Sequence, residues 1–243
     1  MVEHRPTATR LATRRRALAL ALGALAVTAP ADARRAAGDA GDDAAQAALV
    51  AAIRADDAAA LGAALLRPGA DANRPGAFGA SPLVEAVFRQ DPQLVAVLLA
   101  HRAAPDRADV QGVRPLSLAC ELGNGAVIAR LIDAGADVRA PGPGGVSIVA
   151  ICARFAPTDA AARLLARGAP VDSADRDGRM PLMWAAASGR VEAMRLLLRA
   201  GAKPNAVSNG GFTPLMFAIK SGVPEATRLL LDAGARSDVR GPE

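Results

Sequence analysis

Two ladders of glycine run through the chain at the same step. Gly79, Gly112, Gly145, Gly178 and Gly211 lie 33 residues apart, and so do Gly135, Gly168, Gly201 and Gly234. A period of this length restricts the fold more than any bulk property. A unit this small cannot bury its own apolar face and must do so against its neighbours, which makes the chain a solenoid. The stretches "GRMPLMWAAASGRVEAMRLLLRAGAKPN" at 178–205 and "GFTPLMFAIKSGVPEATRLLLDAGARSD" at 211–238 show the unit most plainly.

Within a unit the signals for helix ends are legible. Ser81-Pro82 and Thr213-Pro214 set a capping hydroxyl before a proline whose fixed φ suits a first helical turn. A short first helix follows, clearest in "LMWAAA" at 182–187, whose alanines let the next unit approach closely. Gly123, Gly189 or Gly222 then breaks the chain. After the break, Val191, Met194, Leu197 and Leu198 recur at the spacing of one helical face, so both leucines are expected to be buried between units. Gly201-Ala202 ends this second helix, where glycine can take the left-handed conformation.

Composition agrees with such an array. The chain of 243 residues is 51% apolar but only 2% aromatic, with no tyrosine, so its core must come from small, closely approaching helices rather than large rings. The formal charge of +5 invites a nucleic-acid reading until its location is considered. Residues 1–31 hold five arginines against Glu3, a net of +4, and the rest of the chain is close to neutral. Nucleic acid is therefore not an expected partner.

That N-terminus has the layout of an export signal: a basic stretch ending in Arg14-Arg15-Arg16, an apolar run from Ala17 to Val27, and "APA" at 29–31. Cleavage is expected after Ala31, which places the mature protein in the periplasm or outside the cell. "TRRRALA" at 13–19 also resembles a twin-arginine signal, although Ala17 stands where that family has phenylalanine, so the Sec and twin-arginine routes both stay open. The run is too short to span a bilayer, which needs about 20 apolar residues, and stable membrane insertion is not expected once it is removed. Residues 32–45 are read as a flexible polar tether.

The pattern G-x-T-P-L-x-x-A followed by LL-x-x-G-A-x-x-N resembles the ankyrin repeat over residues 46–243. The resemblance implies an all-α solenoid of about six helix-turn-helix units joined by short β-turn or hairpin fingers, with units near 46–75, 76–108, 109–141, 142–174, 175–207 and 208–243. The first unit is atypical: it ends in "LLRPGADAN" in register but lacks the Gly and Pro turn, as expected of a capping repeat. Unit 142–174 departs most, with Ile148 in place of the proline and "APGPGGVS" crowded into its turn. Arg102 replaces a glycine of the second ladder and is expected at positive φ.

Catalysis has little to work with. His4 lies in the export signal and His101 stands alone at a helix end, no His and Cys cluster has metal-ligand spacing, and "GPGG" at 142–145 lacks the Lys and Ser/Thr of a phosphate loop. Neither an enzyme nor a cofactor is expected. Cys120 and Cys152 fall on first helices of consecutive units. Helix axes run ~8–10 Å apart while a disulfide needs Cα atoms within ~7 Å, so a bridge is possible only if both side chains point across the gap. Two buried thiols are the favoured state. The sole tryptophan, Trp184, reads first as packing and second as a binding hot spot.

In the ankyrin family partners dock on the concave side formed by finger tips and exposed positions of first helices. Carried over by position, the candidates are Phe78, Val113, Arg176, Arg179 and Phe212 at the tips and Phe88, Arg89, Leu122 and Phe155 on the helices. Phe88 and Phe155 could form an apolar strip or could fill gaps left by alanines. The resulting expectation is a monomeric, non-catalytic module that binds one protein partner in the periplasm, with support or protection of an enzyme there as its role. The alternatives are an immunity protein that neutralises a toxin and a secreted host-directed effector.

Overall fold

The computed structural model describes residues 39–76 and 79–239. Among them are twelve α-helices and no strand: α1 (Asp39–Arg54), α2 (Ala58–Leu65), α3 (Pro82–Arg89), α4 (Pro92–Ala100), α5 (Pro115–Leu122), α6 (Gly125–Asp133), α7 (Ile148–Phe155), α8 (Thr158–Ala166), α9 (Pro181–Ala187), α10 (Val191–Arg199), α11 (Pro214–Ser221) and α12 (Pro224–Asp232). Odd-numbered helices stack on one another in one row and even-numbered helices in a second, so each pair touches chiefly its neighbours. This is the solenoid the period requires. The expected export signal lies outside the described residues, and no helix within them is long and apolar enough to cross a membrane.

The expected caps form. The hydroxyls of Ser81 and Thr213 accept from the backbone N–H of Val84 and Met216. Ser147 does the same for Ala150, which lets α7 start without the proline its unit lacks. At the end of α10 the N–H of Ala202 donates to Leu197 O at 2.9 Å and that of Gly201 to Leu198 O at 3.0 Å, with Gly201 at φ +91°. These paired bonds close the last turn as a left-handed C-cap does. Arg102 takes φ +62° as expected, and Asp56 and Gln90 join it in the left-handed region without a glycine to announce them.

The fingers also repeat. Gly76, Asp109, Gly142, Asp175 and Ser208 each donate their backbone N–H to the carbonyl four residues on, and each accepts from the glycine of the first ladder three residues on. Side chains reinforce only some of them. Asp109 and Asp175 accept from their own loop's N–H groups and Ser208 Oγ accepts from Phe212, whereas Gly76 and Gly142 have no side chain to offer.

Three sequence expectations need correction. The tether read at 32–45 is helical from Asp39, because α1 carries Ala45, Gln46 and Leu49 into the first interface. Of the two leucines expected in the α10 interface, Leu197 is fully buried but Leu198 only partly, since one residue turns the side chain about 100° around the axis. Cys120 and Cys152 are not free thiols: they form a disulfide whose Cα atoms are 4.7 Å apart. At this point the two first helices approach closely, with the small residues Ala119 and Ala153 buried beside the cysteines. That approach carries the Cα separation below the limit set by a typical interaxial distance.

Candidate functional site

One edge of the stack carries the finger tips and the outward ends of the first helices. In the last three units it holds a connected cluster. The Arg154 guanidinium lies 4.7 Å from the Phe155 ring centre and 4.9 Å from that of Trp184. Arg179 from the next finger covers Trp184 at 4.6 Å. The shared ring gains cation–π attraction from both guanidinium groups.

Asp175 fixes this arrangement from beneath. Its side chain is only 2% exposed. One oxygen accepts from the N–H groups of Asp177 and Arg179, both at 2.9 Å. The other accepts from Trp184 Nε1 at 3.1 Å and Arg179 Nε at 3.0 Å. A buried carboxylate with four donors is satisfied, and it holds both side chains in single orientations. Asp177 takes a second Arg179 nitrogen at 2.6 Å, and the N–H of Asn209 donates to Asp177 O at 2.9 Å, tying this finger to the next.

Beside the cluster lies a groove of about 620 Å³ whose apolar wall is Phe212, Met216 and Phe217 and whose rim is Arg179 and Lys220. The two phenylalanine rings are 5.7 Å apart, and Phe212 is 40% exposed. An aromatic wall with fixed arginines at its edge is the composition that protein interface cores favour.

A second groove, of about 770 Å³, lies at the other end of the same edge, between α1 and the first finger. Its lining mixes Ala47, Ala51, Ala55 and Ala80 with Asp43, Gln46, Arg54, Arg74 and Glu85. Glu85 on its floor is 8% exposed and faces Arg54 at 3.5 Å, and burial raises its pKa although Arg54 and Arg89 act in the opposite direction. Arg89 is engaged as well. It forms a two-pronged ion pair with Asp56, which lowers the aspartate's pKa and raises the arginine's, chiefly through the hydrogen bond between them.

The sequence candidates therefore divide. Arg179 and Phe212 line the groove of the last units, whereas Arg176 meets it only through its carbonyl, which accepts from Asn209 Nδ2, and lays its side chain near Gly145 of the preceding finger; Phe155 packs beneath Arg154. Phe88, Val113, Leu122 and Phe155 are half-buried and pack on the core, so their rings and methyls serve the stack at least in part. Arg89 is held by Asp56, and Phe78 lies outside the described residues. Sequence reasoning passed over Asp175, Met216 and Phe217. A short acidic residue in "ADRDG" looks like ordinary turn chemistry, and nothing in a linear pattern shows that it reaches Trp184 nine positions on.

A search of curated proteins returns no match. The family model for ankyrin repeats in sets of three copies matches residues 43–141 and again 149–240, which together take in most of the chain and every helix pair described above. Ankyrin repeats are non-catalytic modules that mediate protein–protein interaction. With the period, the caps, the fingers and the paired helices all in register with that model, the chain belongs to the ankyrin-repeat family.

Proposed function

We propose that the protein is an exported, non-catalytic binding module that holds one partner protein on the finger-tip edge of its last three units. The observation that carries this reading is the fixed Arg154, Trp184 and Arg179 stack beside the open Phe212 and Phe217 groove. Aromatic and arginine anchors that are already ordered lose little freedom on binding, so most of their contact energy becomes affinity. The basic and apolar start of the chain supports export, and the Cys120–Cys152 bridge suits an oxidising compartment. In this reading the partner is a periplasmic protein and no catalytic step is involved.

The test has two parts. Protein recovered from the producing cell should begin at Asp32 and fractionate outside the cytoplasm; soluble cytoplasmic protein with Met1 intact sinks the export half. Affinity capture from a periplasmic extract, with mass spectrometry, should then identify the partner. Against that partner, Phe212→Ala with Phe217→Ala should weaken binding by about 2 kcal/mol or more, while Phe88→Ala should leave it nearly unchanged. The reverse pattern would move the docking surface to the first units.

A further inference from the structure

The cations of the finger-tip edge are matched differently at its two ends. Arg54, Arg74 and Arg89 in the first units face Glu85, Asp43 and Asp56, so each has a carboxylate where it stands. In the last units Arg179 faces Asp175 at 3.0 Å and Asp177 at 2.6 Å, while Arg154 stacks on the Phe155 and Trp184 rings. Arg176 and Lys220 are exposed, and neither has an ion pair among the described residues. They flank one braced finger. Lys220 shares the rim of the Phe212 and Phe217 groove with Arg179, whereas Arg176 turns away from it, its side chain near Gly145 of the preceding finger. Both places are open within the stack itself. Arg176 belongs to a unit with a neighbour on each side, and Ala187, which holds the place of Lys220 one repeat earlier, is exposed as well.

We infer that the partner meets this edge with an acidic segment: one carboxylate pairs with Lys220, an apolar side chain beside it enters the groove against Phe212 and Phe217, and a second carboxylate pairs with Arg176. This rests on the reading of the finger-tip edge as the docking face and adds the partner's chemistry to it. Charge complementarity selects the occupant. An acidic segment neutralises the two open cations and leaves the set of Asp175, Arg179 and Asp177 as it is. A basic segment would meet Arg176, Arg179 and Lys220 together. Nucleic acid fits less well, because the Asp177 side chain, 68% exposed on the same finger, would face a continuous row of phosphates. A peptide can turn a backbone N–H toward it instead. The receiving geometry is already fixed: Asp175 accepts from the N–H groups of Asp177 and Arg179, and Asn209 Nδ2 donates to Arg176 O at 3.1 Å. Little order has to be gained on binding, so the ion pairs add to affinity and to the rate of approach.

The experiment is selection of displayed random peptides of about 12 residues on the immobilised full chain with its disulfide intact, followed by titration of the enriched sequences as free peptides. Enriched peptides should carry more than one Asp or Glu together with an aromatic or branched aliphatic residue. Their affinity should fall as NaCl rises from about 50 to 500 mM. Arg176→Glu and Lys220→Glu should each weaken the best peptide by about fivefold or more, with the melting temperature unchanged because both side chains face water. Exchanging the matching peptide carboxylate for lysine should restore binding to the variant. Several results overturn the inference: enriched peptides without acidic residues, no enrichment at all, acidic peptides indifferent to both variants, or a single-stranded DNA of about 20 nucleotides bound more tightly than the best peptide. The underlying reading fails separately. Neutral peptides lost with Phe212→Ala and Phe217→Ala would leave the docking edge in place and remove only its acidic preference. Peptides lost with Phe88→Ala, and kept by the variants of the last units, would sink the edge itself.

Discussion

Two junctions of this solenoid do the same job by different means. Between units 109–141 and 142–174 the first helices are joined by the Cys120–Cys152 bridge. Between units 175–207 and 208–239 no covalent link exists among the described residues, and the fingers instead share hydrogen bonds from Asn209 to Asp177 and Arg176 while Asp175 braces the finger behind them. The difference follows local sequence. Unit 142–174 has Gly142 where its neighbours on either side have Asp109 and Asp175, so its finger lacks a side-chain brace, and Ile148 where they have Pro115 and Pro181, so α7 starts on the Ser147 cap alone. The crosslink sits where the finger's own side-chain brace is missing, while Arg139 and Arg167 tie the ends of the second helices across the same junction. A repeat array can thus meet the same geometric demand with chain connectivity or with a polar network.

The largest effect should come from removing the crosslink. Cys120→Ala with Cys152→Ala frees a loop of about 30 residues in the unfolded chain and should cost about 3–4 kcal/mol. In hydrogen exchange the loss of amide protection should begin in residues 109–174, with the last units following only later. Uniform loss along the chain would mean that the junctions are not independent and the contrast drawn here is void.

Asp175→Ala attacks the other junction and should cost about 2–3 kcal/mol, because it strands Trp184 Nε1, Arg179 Nε and two backbone N–H groups in a mostly dry site. Urea titration would measure it. The cysteine pair and Asp175 do not touch, so their costs should add to within a few tenths of a kcal/mol; strong coupling would show that the two junctions act as one.

The smallest effect sharpens the comparison by offering a buried carboxylate that lacks a network. Glu85 is buried like Asp175, but its charged neighbour within 4 Å among the described residues is Arg54 at 3.5 Å, and burial raises its pKa. A carboxyl whose pKa is higher in the folded state contributes its stability fully below its unfolded pKa and loses it as pH rises through the folded value. Glu85→Gln should therefore melt slightly higher than the parent protein at pH 7, and the advantage should vanish in acid below the ordinary carboxylate range, near pH 4. A lower melting temperature at pH 7 would show that the Arg54 pair outweighs the burial.

Much of the site was out of reach of a linear reading for a definite reason. Arg176, Arg179 and Phe212 could be marked because the period gives every finger position a number, and position alone carries them to the exposed edge. Whether a ring at such a position faces water or the core depends on the neighbours it meets in space. Phe88 and Phe155 are partly buried against the core, and Leu198 stays partly exposed beside an interface that Leu197 enters one residue earlier.

The 33-residue glycine step, the Ser/Thr-Pro caps and the leucine spacing fixed a helical solenoid with its units in register, because each depends on φ, ψ and periodicity within a few residues of chain. Tertiary structure alone decided the bridge between Cys120 and Cys152, the four donors gathered on Asp175, and the partial cover of Leu198. The bridge is set by the distance between units that the sequence separates by a whole repeat, and the carboxylate by how a finger folds back on the helix that follows it. A shift of an ångström in how two helices approach determines whether a thiol finds its partner, a carboxylate its donors, or a side chain its cover.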